Sequence, residues 1–301
     1  MVFEQVLILA IFIAIGYIVA KLGIVRSEHR GVLSSLLVYV FGTANIFKSF
    51  ASNFNRTYLS ENYSLVLIST AIMAVLSVIA FFAAKIFSRN AFEQKVFEYS
   101  MVCPNYGYMG YALAEALFGS LGLTNFVVFS IPFSVYIYTY GFAILTKRGI
   151  NLKKLINPVT VSMVLGIIVG LLEIPVFEIE VIYTVVDRAS SCMAPISMLL
   201  AGIVISEFKL KELFSCYKIY ILAAVSLIVT PLTIGGIVSL FGNDTLTAIT
   251  VLFYSLPCGL NTVVFPSLIG EDCKLGAGIA LVTTIIGCAT LPLMFMIFGL
   301  A

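Results

Sequence analysis

Ten apolar stretches, each close to the length that crosses a bilayer, follow one another along the 301-residue chain with only short polar connections between them. They cover 3–21, 31–50, 62–87, 94–118, 123–146, 158–175, 180–206, 217–241, 245–268 and 275–299. A spanning helix needs about 20 mostly apolar residues, and no connection here is long enough to fold as a soluble domain. Composition points the same way, with 61% hydrophobic residues, 11% charged and a mean hydropathy of +1.10. A soluble chain carries about a quarter charged residues, and so much apolar surface cannot be hidden in one water-soluble core. The expected class is an all-α membrane protein with ten transmembrane helices. A soluble enzyme, a disordered regulator and a secreted disulfide scaffold are excluded. The net charge of +2 is too small and too scattered for a nucleic-acid partner.

No cofactor or metal is expected. The six cysteines form no CxxC pair, and the single histidine, His29, excludes every two-histidine metal motif. The start, MVFEQV, carries Glu4 where a leader would be basic, and no A-x-A site follows, so 3–21 reads as a span.

Basic residues set the orientation. With the N-terminus outside, 14 of the 17 Lys and Arg residues fall on the cytoplasmic side, Lys147, Arg148, Lys153 and Lys154 among them. Lys48 and Arg56 lie outside, and Arg188 sits within a span. Both termini are therefore expected to be extracytoplasmic, in a multi-pass protein of the cell membrane.

The most basic connection, 147–157, divides the chain into five spans (1–146) and five more (158–301). Because five is odd, a duplicated second half enters the membrane upside down. Gly16-Tyr17-Ile18-Val19 matches Gly166-Ile167-Ile168-Val169 at an offset of 150. A firmer correspondence is that the fourth span of each half is interrupted by a proline, Pro104 and Pro257. Proline removes a helical hydrogen bond at a cost of about 3 kcal/mol, and freed carbonyls survive in lipid only against protein or a wet cavity. Paired interruptions of this kind point to a transporter's central site. Pro132, Pro195, Pro231 and Pro292 read as simple kinks.

Polar and small residues gather at both breaks: Pro104-Asn105-Tyr106-Gly107-Tyr108-Met109-Gly110, then Pro257-Cys258-Gly259-Leu260-Asn261-Thr262. Together with Gly16-Tyr17 and Lys21-Leu22-Gly23 in the first span, these signatures resemble the auxin efflux carrier family, within the bile acid/sodium symporter-like superfamily. The resemblance implies two inverted five-helix repeats with broken helices 4 and 9 crossing at the midplane. It implies a scaffold of helices 1, 2, 6 and 7 and a transport domain of helices 3–5 and 8–10. It also implies carriage of a small organic anion such as a dicarboxylate, with Asn105 and Asn261 near its carboxylate. Gly107, Gly110 and Gly259 are expected to let backbones approach, and Thr262 to join the site. The second span lacks the family's usual proline and reads Phe41-Gly42-Thr43-Ala44-Asn45, which leaves Asn45 as a looser candidate contact. Pro266 is unexpected after Pro257.

Ionisable residues at membrane depth default to functional candidates. Glu98, six residues before Pro104, is a candidate site for a coupled proton or sodium ion, or else a partner of Lys95 or Lys85. Glu115 is expected in a solvated vestibule, Asp187 and Arg188 in structural pairs, and Gly166-xxx-Gly170 on a helix-packing face. The leading expectation is a secondary carrier of a small carboxylate working by an elevator-like alternating-access mechanism. The alternative is a sodium-coupled symporter of a larger amphipathic acid with the same fold. An intramembrane enzyme lacks its catalytic pairs here, and a channel lacks its filter. A homodimer stays open.

Overall fold

The computed structural model describes residues 2–25, 29–147, 149, 152–206, 216–267, 269–271 and 273–300. Arg26, Arg148, Lys209 and Lys211 of the basic connections lie outside the described residues, as does Asp272. The regular structure among the described residues is helical. Helix α1 is Val2–Lys21, and α2 (Arg30–Leu36) runs through a π segment, Leu37–Gly42, into α3 (Thr43–Asn53). Next come α4 (Arg56–Phe87) and α5 (Ala91–Val102). After a break, the π segment Tyr106–Gly110 leads into α6 (Tyr111–Tyr136), and a second, Ile137–Gly141, into α7 (Phe142–Thr146). The second half contains α8 (Pro158–Leu171), α9 (Glu180–Ser191), α10 (Met193–Ser206) and α11 (Tyr217–Ala224). A π segment, Val225–Val229, joins α11 to α12 (Thr230–Ser239), followed by α13 (Asp244–Ser255), α14 (Asn261–Ser267) and α15 (Lys274–Ile297).

Four helices begin at an asparagine whose side-chain oxygen takes a free backbone N–H of the first turn. Asn55 caps Tyr58 at 2.7 Å, Asn90 caps Phe92 at 2.8 Å, Asn157 caps Thr160 at 3.1 Å and Asn243 caps Leu246 at 2.9 Å. Pro158 follows Asn157 where a missing N–H costs nothing.

Among the described residues, six helical stretches are long and apolar enough to cross a membrane: 31–53, 56–87, 106–146, 180–206, 217–239 and 274–297. Leu7–Lys21 and Pro158–Leu171 are shorter apolar helices. The 41-residue stretch Tyr106–Thr146 would be about 60 Å long if straight, twice a bilayer core. It is not straight, because Gly119, at φ 69 and ψ −167, turns the chain inside it. The sequence suggested a connection over 119–122; one glycine in the left-handed region makes the corner instead. The expected span 62–87 begins earlier, at Arg56. Pro132 and Pro292 stay inside continuous helices, as expected of kinks.

Helices α1 and α10 form one extensive pair and α3 and α8 another. Both are built on glycine. A methyl on Gly16 would lie 2.9 Å from Leu199 Cα, and one on Gly202 would lie 2.7 Å from the Tyr17 nitrogen. At the other pair, a methyl on Gly166 would lie 2.7 Å from Phe50 Cβ, and one on Gly170 would lie 3.0 Å from the Phe50 oxygen. The Gly166-xxx-Gly170 face is therefore a helix contact. Lys48 and Asp187 pair at 2.7 Å between α3 and α9, the structural partnering foreseen for Asp187.

Candidate functional site at the paired helix breaks

Both prolines interrupt their helices. The backbone turns extended at Cys103 (φ −114, ψ 96) and at Leu256 (φ −71, ψ 149). The two extended segments lie antiparallel and pair with each other at Pro104 and Cys258. The Asn105 N–H donates to the Pro257 carbonyl at 2.7 Å, and the Gly259 N–H donates to the Cys103 carbonyl at 3.2 Å. Each break thus supplies partners for groups the other has freed, which is how a broken helix stays satisfied away from water. The Cys258 N–H is taken by Thr283 Oγ1 at 3.0 Å, from α15.

Beside this crossing is a cavity of about 150 Å³. Pro104, Asn105, Tyr106, Gly107 and Tyr108 line it from the first break, and Gly259, Leu260 and Asn261 from the second. Leu37, Val38, Gly42, Asn157, Val159, Thr160 and Met193 face them, and Tyr111, Ser134, Ile137 and Tyr138 complete the wall. No lining residue carries a charge. Asn105 is 92% removed from solvent (8% exposed), and its amide has no hydrogen-bond partner among the described residues. Asn261 opens α14 and donates from Nδ2 to Tyr99 Oη at 2.8 Å.

The other expected site residues divide. Gly259 is the close-approach glycine, since a methyl there would sit 3.3 Å from the Cys103 oxygen. Gly107 lines the cavity with open space around it, so it leaves room for a ligand and does not serve close backbone contact. Gly110 lies off the cavity and makes space for the Phe126 ring, 2.7 Å from where a methyl would be. Pro257 contributes its carbonyl to the crossing and does not line the cavity. Thr262 is buried outside the lining, with its hydroxyl on the Gly259 carbonyl at 3.1 Å.

Asn45 is also outside the lining. It donates to Met193 Sδ at 3.1 Å and accepts from Ser190 Oγ at 2.9 Å. Ser190 also contacts Glu115 at 3.4 Å, so Glu115 sits in a part-buried polar network and not in an open vestibule. Glu98 is buried, with Oε2 on Lys95 Nζ at 2.9 Å and Oε1 accepting from Tyr140 Oη at 2.6 Å. Tyr99, Ser134 and Asn157 were not singled out in sequence. Tyr99 looks like ordinary helix filling there, because its partner is 162 positions away.

A polar seam closes α3 against the Gly119 corner. Ser49 Oγ and Thr124 Oγ1 are 2.6 Å apart, Ser49 donates to the Ser120 carbonyl at 2.9 Å, and Asn53 Nδ2 donates to Ser120 Oγ at 2.8 Å.

Comparison with known proteins decides the class. Residues 1–154 and 147–296 match the family described as membrane transport protein. The chain belongs to this family, which is of auxin efflux carrier type. An uncharacterized transporter of Methanocaldococcus jannaschii is 24% identical over 298 residues, covering 93% of this chain and 94% of the relative. A second uncharacterized transporter, from Methanothermobacter thermautotrophicus, is 23% identical over 299 residues, covering 96% of each chain. This transport family member is accordingly a multi-pass membrane transporter and not an enzyme.

Proposed function

We propose that the protein is a secondary carrier that moves a small organic anion, a carboxylate, by an elevator-like alternating-access mechanism. One observation carries this reading: two broken helices, each the fourth span of its half, pair their breaks on the wall of a neutral cavity that contains the unpartnered Asn105 amide. The half-helix from Tyr106 to the Gly119 corner starts at the cavity and turns its positive end toward it. The seven residues of α14 add a weaker dipole. Neutral amides and backbone N–H groups hold a carboxylate without the desolvation cost of a fixed cation.

Ten crossings follow when Tyr106–Thr146 is divided at Gly119, α1 and α8 each count as one, and α13 with α14 forms a broken span. An inverted repeat of 1–146 and 158–301 is supported by Gly16 and Gly166. They lie 150 residues apart on the first span of each half, and each presses on the second span of the other half. The scaffold is then α1–α3 with α8–α10, and the mobile body is the rest. The membrane is the cell membrane, with 147–157 cytoplasmic and both termini outside. Glu98 has a structural role in this reading, since both of its oxygens are engaged.

The test is a thermal-shift screen of the purified chain against small carboxylates. A ligand at 100 times its Kd adds about 2.7 kcal/mol of stability. Asn105→Ala should weaken binding of an active carboxylate by about 1–3 kcal/mol while leaving the ligand-free melting temperature nearly unchanged. A full shift in Asn105→Ala would place the site elsewhere.

A further inference from the structure

One face of α3 is polar along its length. Asn45, Ser49 and Asn53 stand four residues apart and so share a side of the helix. Ser49 and Asn53 close on Thr124 and Ser120 beside the Gly119 corner, and Asn45 faces Glu115. Glu115 stands nine residues beyond Tyr106, about 13 Å along the helix that leads from the cavity toward the outer side. In the reading above, α3 and α9 belong to the scaffold and Glu115 to the mobile body. The contact therefore crosses the boundary between the two.

The charges at this boundary do not balance. Among the described residues, Lys48 on α3 and Asp187 on α9 are the charged groups that face Glu115, and they pair with each other at 2.7 Å. Arg188, next along α9, is exposed. Ser190 has one hydroxyl proton; its oxygen is 2.9 Å from Asn45 Oδ1 and 3.4 Å from Glu115 Oε1. The Asn45 amide is shared between Met193 Sδ and Glu115. Two carboxylates thus share one lysine, and Glu115, the one without a direct cation, is part-buried. Taking such a group from water is costly when it has no cation of its own, and a second negative charge nearby adds to the cost. One proton removes the excess.

We infer that Glu115 is a proton-binding site at the outer boundary between the two bodies, protonated while docked on α3 and α9 and ionised when that boundary opens to water. The proton comes from the outer side and returns there, so the site gates the carrier without moving a proton across the membrane. Because closing takes up a proton, low external pH favours the closed boundary and high external pH the open one. The inference rests on the two-body carrier reading.

The experiment follows boundary opening in the full chain, reconstituted in vesicles and lacking its native cysteines. Ser120→Cys places a thiol in the seam, and its modification by an impermeant reagent from outside is timed across a range of external pH. Each rate is divided by that of Thr245→Cys at an exposed position, which cancels the ionisation of the thiol itself. With Glu115 present, the ratio should fall on acidification by about tenfold per pH unit below its midpoint, the effect of one proton. Glu115→Gln, which imitates the neutral acid, should be slow at every pH. Asp187→Asn frees Lys48 for Glu115 and should move the fall to lower pH, which a merely structural role for Glu115 would not produce. A ratio independent of pH with Glu115 present, or the same fall in Glu115→Gln, overturns the proton site and leaves the carrier standing. If Ser120→Cys stays unreactive at every pH in every variant, the boundary does not open, and the carrier reading falls together with this inference. Should Glu115→Gln not fold, Asp187→Asn decides, and an unmoved profile overturns the site.

Discussion

Single residues in this transporter matter most where two helix backbones touch. Gly202 on α10 faces the α1 backbone so closely that a methyl would meet the Tyr17 nitrogen at 2.7 Å. Backbone atoms cannot step aside as a flexible side chain can, so the added carbon must push the two helices apart. Gly202→Ala is expected to destabilise by about 1–3 kcal/mol, the usual scale of overpacking. Gly236 on α12 is the control, since it has nothing within 4 Å of an added methyl. Gly236→Ala should be neutral or stabilising by up to about 1 kcal/mol, because alanine is the better helix former. Melting temperatures of the two variants in the same detergent check the pair; equal losses would mean that the α1–α10 contact is looser than described. At the site, the residue types at the two breaks were readable early, because proline and glycine have few structural alternatives. The partners of Asn45 and Asn261 were not, since each comes from a distant element, and of the two partners of Glu98 the sequence offered Lys95 and missed Tyr140.

Among the elements, the decisive ones are interrupted. Four of them, α5 with the Tyr106–Gly110 segment and α13 with α14, exist as fragments because Pro104 and Pro257 remove backbone donors, and the fragments are held by pairing with each other. Away from the cavity, α3 is joined to the Gly119 corner by the Ser49, Asn53, Ser120 and Thr124 seam. If α3 belongs to a fixed body and the corner to a moving one, this seam must open in each cycle. Cysteines replacing Ser49 and Thr124, whose hydroxyl oxygens are 2.6 Å apart, should crosslink readily in a chain lacking its native cysteines. The crosslinked transporter is expected to lose transport, and reduction should restore it. Full transport in a verified crosslinked sample would show that the two elements move together.

For the whole molecule, the bias of basic residues predicts that 147–157 faces the cytoplasm and the turn at Gly242 and Asn243 faces outside. Cysteines at Gly149 and Asn243, both exposed, should be modified by an impermeant thiol reagent from opposite sides of the membrane. Modification of both from one side would remove the ten-crossing reading and the inverted repeat with it. The sequence by itself determined the solvent, since an 11% charged, +1.10 hydropathy chain has no soluble solution. It also determined where two helices break, because proline acts on the few residues adjacent to it. Only the tertiary structure decided that the breaks pair at Pro104 and Cys258, that Gly119 turns the chain, and that the Asn261 amide is held by Tyr99. The physical reason is distance along the chain. A local propensity is written in neighbouring residues, whereas a contact across 162 positions depends on the packing of every helix in between.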